Sequence, residues 1–110
     1  MTRASKVTGR WRIIDMELWD MDAVDLLGPA FIEFGKDQQG SFQFLAIEGW
    51  MDLRSADHRG PSAVEFSWEG QNEMDRASGR GWAAVADDGS LDGRIFLHLG
   101  DDSGFRAVRE

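Results

Sequence analysis

Apolar and polar side chains alternate along much of the chain with a period of two, the spacing that places every second residue on one side of an extended strand. The alternation is clearest in Ser62 to Glu69, where Val64, Phe66 and Trp68 share one face and Glu65, Ser67 and Glu69 the other. Six further runs read as strands: Gly9 to Met16, Ala30 to Lys36, Ser41 to Leu53, Gly79 to Asp87, Leu91 to Leu99 and Gly104 to Arg109. The segments Gly35 to Gly40, Asp87 to Ser90 and Gly100 to Gly104 supply Gly and Asp, which tolerate the backbone of tight hairpins. Short strands joined at intervals of about ten residues predict an all-β fold, an antiparallel up-and-down barrel of roughly seven or eight strands.

One segment follows a different period. Asp20 stands as an N-cap, Ala23, Val24 and Leu27 follow at helical spacing, and Gly28-Pro29 stops the run. A short helix within Asp20 to Leu27 is expected to cover one end or face of the sheet.

Two runs leave orientation open. In Ser41 to Leu53 both faces are apolar, with Phe42, Phe44 and Ala46 on one side and Leu45 and Ile47 on the other; Gly49 then predicts a bulge or bend. Together with Phe31, Phe34 and Trp50, these side chains either fill the barrel or form a self-complementary homodimer interface through the Phe42 strand. In Leu91 to Leu99 one face carries Leu91, Ile95, Leu97 and Leu99, the other Asp92, Arg94, Phe96 and His98. Either face satisfies the alternation.

Composition narrows the function classes. The chain has 110 residues, 42% of them hydrophobic, a globular value, and no repeat or linker divides it. A single β-barrel domain over residues 1–110 is expected, preceded by a polar N-terminal arm at 1–8. With 12 basic and 20 acidic side chains the net charge is −8, which argues against a nucleic-acid partner. The absence of cysteine excludes disulfides, thiolate metal sites and a cysteine nucleophile. Met1 to Gly9 lacks the apolar core of a secretory signal, and no run approaches the roughly 18 apolar residues of a membrane span, so a cytoplasmic location with no membrane contact is expected.

Gly9-Arg10-Trp11, at the head of the first strand, resembles the Gly-x-Trp opening of lipocalins and other calycins. In that family the Trp closes the bottom of an up-and-down barrel and an Arg of the last strand stacks on it. The resemblance covers two short ends of the chain. It implies that Gly9 and Trp11 close this barrel with Arg106 or Arg109 as the stacking partner, and that a small apolar or amphipathic ligand occupies the barrel mouth, unless side chains fill it. The chain as a whole is similar to small bacterial proteins of unassigned function, which implies no reaction.

Candidate chemistry is sparse. Glu69 to Gly81 reads as a long polar loop carrying Glu69, Glu73, Asp75, Arg76 and Arg80, suited to a hard cation or an anionic group, or simply solvated. It lacks calcium-loop spacing. Ser78-Gly79-Arg80-Gly81 offers amides and a guanidinium to a phosphate, yet no helix follows. His58 falls in a polar turn, and with His98 it makes only two histidines, so neither a metal site nor any other cofactor is expected. His98 shares a face with Arg94 and is the candidate general base, with Asp92 as the orienting acid. Glu65 and Glu69 stand about 13 Å apart along one strand, too far for a glycosidase pair. Of the five tryptophans, Trp11, Trp68 and Trp82 fall in phase with core positions, leaving Trp19 and Trp50 for a ligand or partner. The favoured reading is a noncatalytic barrel that binds a small apolar or amphipathic ligand in its mouth, through Trp19, Trp50, Arg80, Arg94 and His98, or a protein partner through its apolar outer strand face. The alternative is a small enzyme using His98 in a mouth pocket.

Overall fold

The computed structural model describes residues 6–56 and 62–110. Eight strands form where the alternation predicts extended chain: β1 (Gly9–Met16), β2 (Phe31–Phe34), β3 (Gln39–Phe44), β4 (Ile47–Ser55), β5 (Ala63–Asn72), β6 (Asp75–Val85), β7 (Leu91–Leu97) and β8 (Asp102–Arg109). Each pairs antiparallel with the next, and β8 returns to β1 with Arg109 opposite Trp11, so the sheet closes as an up-and-down barrel without free edges. The helix α1 (Met21–Val24) is a single turn between β1 and β2. Asp20 caps it as expected, its side chain accepting the amide of Ala23 at 3.1 Å.

Several expected boundaries shift, each for a local reason. The Ser41 to Leu53 run is two strands, because the chain reverses at Leu45-Ala46 and Phe44 pairs with Ile47. The reversal puts Phe42, Phe44 and Ile47 all inside the barrel, which accounts for the two-sided apolar pattern. Phe34 and Phe42 are core residues rather than surface, so the Phe42 strand presents no ring to a second copy. Glu69 to Gly81 is not a loop either: β5 and β6 pair from Ala63↔Ala84 to Asn72↔Asp75, joined by the turn residues Glu73 and Met74 at φ 53° and 76°. Two left-handed residues in sequence give the twist that hairpin strands require.

Gly49 makes neither bulge nor bend. It sits directly opposite Phe42, and a Cβ added there would lie 2.4 Å from the Phe42 ring. The same arrangement recurs across the barrel: Phe66 stands opposite Gly81, Trp68 opposite Gly79, and Phe105 opposite Gly93. In each, a Cβ on the glycine would approach the facing ring within 2.8 Å. Large rings therefore lie over inward-facing glycines, and the interior is filled by side chains. Phe42 and Trp68 meet edge to face at 5.0 Å between centroids, and Phe34 and Phe66 at 6.5 Å. The one register shift lies instead in β1, between Ile13 and Asp15, where an extra outward residue keeps Ile13 and Met16 both inside.

Both ends are covered. At the first, Arg109 lies over the Trp11 ring, 4.2 Å from its centroid, and donates to the carbonyls of Thr8 and Lys6. The Trp11 indole donates to the carbonyl of Val7 at 2.9 Å and Val7 is buried, so residues 6–8 pack on the barrel; residues 1–5 of the expected arm lie outside the described residues. Gly9, at φ 126°, leaves room for the guanidinium: a Cβ would meet it at 2.8 Å. Arg106 is not the stacking partner; it pairs with Asp92 on the outer face. At the opposite end Val24 of α1 is buried, Trp19 stands 5.9 Å from Phe44, and Leu45 donates its amide to the Val24 carbonyl. Among the described residues no helix is long and apolar enough to cross a membrane.

Candidate functional site

The inward face of β7 is the leucine face, since Leu91 and Ile95 are fully buried. Asp92, Arg94 and Phe96 consequently point outward, and His98 follows in an exposed turn. Arg94 does not reach a pocket: it donates to Glu17 at 2.8 Å and to Asp102, tying β7 to β8 and to the end of β1. The Glu17 carboxylate also accepts the Gly104 amide, and this backbone bond together with Arg94 holds it below the usual carboxylate range. Trp19 is half buried against Phe44 and belongs to the end closure. Asp92, the expected orienting acid for His98, accepts from Arg106. The His58 turn lies outside the described residues.

The remaining three candidates come together. Register places Ser41, Trp50, Glu69 and Ser78 in one outward-facing row across β3 to β6, and the His98 amide extends the row by donating to the Ser78 carbonyl at 2.8 Å. The adjacent row holds Gln39, Asp52, Ser67, Arg80 and Phe96. Around these rows the outer wall of β4 to β7 is concave, and the depression encloses about 790 Å³ with Trp50, Arg80, Phe96 and His98 among its lining residues. Gly70 and Gly79 lie in this wall, and a Cβ on either would press within 2 Å of a neighbouring strand's carbonyl oxygen, so the backbones approach closely there.

Trp50 is 56% exposed, although it is the kind of side chain a core would take. Arg80 lies over Phe96, 5.3 Å from the ring centroid, and Arg76 borders the same surface nearer the hairpin tip. The polar lining also includes Gln39, Asp52, Ser67, Glu69 and Ser78. Such a surface offers an apolar platform, guanidinium donors and hydroxyl groups to one ligand. Among the described residues no three His, Asp or Glu side chains converge as metal ligands.

Of the five residues the sequence groups as a binding set, Trp50, Arg80 and His98 share this surface while Trp19 and Arg94 do not, and Phe96 joins it as the ring beneath Arg80. The available signal was parity, because Phe96 and His98 alternate on one face. The neighbours on β4, β5 and β6 depend on register across successive hairpins. No family model, no curated protein and no solved structure matches the chain.

Proposed function

We propose that the protein is a noncatalytic binding module that takes a small amphipathic ligand on the outer concavity of β4 to β7. The observation that carries this reading is Trp50, a largely exposed tryptophan facing Arg80 and His98 across a depression, while the barrel interior is occupied by its own rings. An exposed aromatic platform beside charged donors is the composition of binding surfaces rather than of ordinary solvated sheet. The placement differs from the barrel mouth of calycins: α1 and Trp19 cover one end here, and Trp11 with Arg109 covers the other. His98 has no carboxylate to orient it among the described residues, so binding is favoured over acid–base chemistry.

A thermal-shift screen of fatty acids, aromatic metabolites and nucleotides against the wild-type chain and Trp50→Ala tests the reading. Ligand at about 100 times its dissociation constant adds about 2.7 kcal/mol of stability, several degrees in a domain of this size. The reading expects at least one class to stabilise the wild type and to lose that effect in Trp50→Ala. Stabilisation that persists in the variant would place the ligand elsewhere.

A further inference from the structure

We infer that the ligand of the β4–β7 concavity is an organic anion with a flat apolar body, its carboxylate or equivalent group held by Arg80. The inference rests on the binding reading above and adds the charge and shape of what is bound.

Arginine pairing across the rest of the molecule supplies the first support. Arg10 pairs with Glu33 and Glu110, Arg12 with Asp25, Arg54 with Asp52, Arg94 with Glu17 and Asp102, and Arg106 with Asp92. Arg109 donates to two carbonyls. Arg76 and Arg80 alone among the described arginines have neither a carboxylate within ion-pair distance nor a hydrogen-bonded carbonyl. They stand so in a chain with 20 acidic side chains and a net charge of −8, where carboxylates are the commonest neighbours. Glu69 occupies the position between them, opposite Ser78, and bonds to neither.

Stacking supplies the second support. Arg80 lies over the Phe96 ring, 5.3 Å from its centroid, a cation–π contact that leaves an N–H edge available for two parallel bonds to a carboxylate. An ammonium has no such edge. Spacing supplies the third. Trp50 and Arg80 are separated by two strands across and two residues along, about 12 Å between backbones in an ordinary sheet. With both side chains lining the depression, that span suits a fused aromatic ring bearing one anionic group. A polyanionic strand such as a nucleic acid would meet Glu69 and the net negative charge, so the anion is a small one.

The test uses 2-naphthoate and its neutral counterpart 2-naphthamide, titrated into the full chain by calorimetry. The inference expects naphthoate to bind at least about tenfold more tightly than the amide, in line with one charge-assisted bidentate contact. Arg80→Gln should remove that advantage and leave amide binding within about twofold, while Trp50→Ala weakens both probes. Arg80→Lys, which keeps the charge but not the fork, should recover only part of the loss. All these positions are outside the core, and an unchanged melting temperature certifies each variant as folded. Equal affinity for the two probes with dependence on Trp50 would overturn the anionic class and leave the concavity as the site. Binding of neither probe at millimolar concentration, or binding indifferent to Trp50→Ala, would overturn both.

Discussion

The ring of Phe42 lies directly over Gly49 on the neighbouring strand, close enough that a single methyl group at residue 49 would fall 2.4 Å from the ring edge. Phe42 supplies all three of the nearest atoms such a methyl would meet, so the clash is with one side chain rather than with backbone. Gly49→Ala should therefore destabilise the barrel by about 1–3 kcal/mol through overpacking. In a Phe42→Leu background the same substitution should cost clearly less, giving a coupling energy of about 1 kcal/mol in a double-mutant cycle read by urea denaturation. Equal costs in both backgrounds would mean that the ring does not depend on the glycine.

Closure of the lower end predicts unequal roles for two arginines of one strand. Arg109 stacks on Trp11 and binds two carbonyls of the preceding segment, whereas Arg106 makes one ion pair with Asp92 on the outer surface. Arg109→Ala should lower stability by about 1–3 kcal/mol, the sum of a cation–π contact and its hydrogen bonds. Arg106→Ala should stay within about 1 kcal/mol of wild type. Denaturation midpoints of the two variants decide the matter.

Acid should loosen the connection between β1 and β2. Arg12 grips Asp25 with two hydrogen bonds of 2.9 and 2.7 Å, and Asp25 also accepts the Ala30 amide at 3.0 Å. The hydrogen bond from Arg12, then that from Ala30, lowers the carboxyl below its ordinary value despite partial burial. A carboxyl depressed in the folded state contributes stability that is fully present above its unfolded value, near 4, and is lost as pH falls through the lower folded value. Stability should thus be flat from neutral pH to about 5 and decline below 4. Asp25→Asn, which keeps the shape and loses the charge, should be less stable at pH 7 by about 1–2 kcal/mol and show a shallower acid decline.

The outward position of Trp50 has a consequence that needs no ligand. Because more than half of it is exposed and its ring meets no other aromatic ring among the described residues, Trp50→Ala should change stability by no more than about 1 kcal/mol. Trp68→Ala, which removes a buried ring packed on Phe42, should cost about 3–5 kcal/mol. Comparable losses in the two variants would show that Trp50 is part of the scaffold.

The barrel itself was legible because alternation survives in nearly every strand and because Asp20, Gly28 and the Asp87-Asp88-Gly89 turn carry recognisable chemistry. What escaped was reversal without such chemistry. Leu45 in one turn and Glu73 and Met74 in the other hold positive φ with residue types that ordinarily avoid it, so Ser41 to Leu53 read as one strand and Glu69 to Gly81 as a loop. Those two hairpins also set the register that puts Ser41 opposite Trp50 and Glu69 opposite Ser78. A shift of one residue in either would send Trp50 or Arg80 to the opposite face, which is why the residues could be named and their shared wall and neighbours could not.

The central claim is that the ligand sits on the outer wall of β4 to β7. It is tested most directly by following the five tryptophan indole N–H signals in a nitrogen-15 correlation spectrum during titration with 2-naphthoate. The account predicts that the Trp50 signal moves with saturation, accompanied by the amides of Ser78, Arg80 and His98, while the Trp11 and Trp19 signals stay in place. Movement of Trp19 with Trp50 unchanged would put the ligand at the barrel end beneath α1 and contradict it.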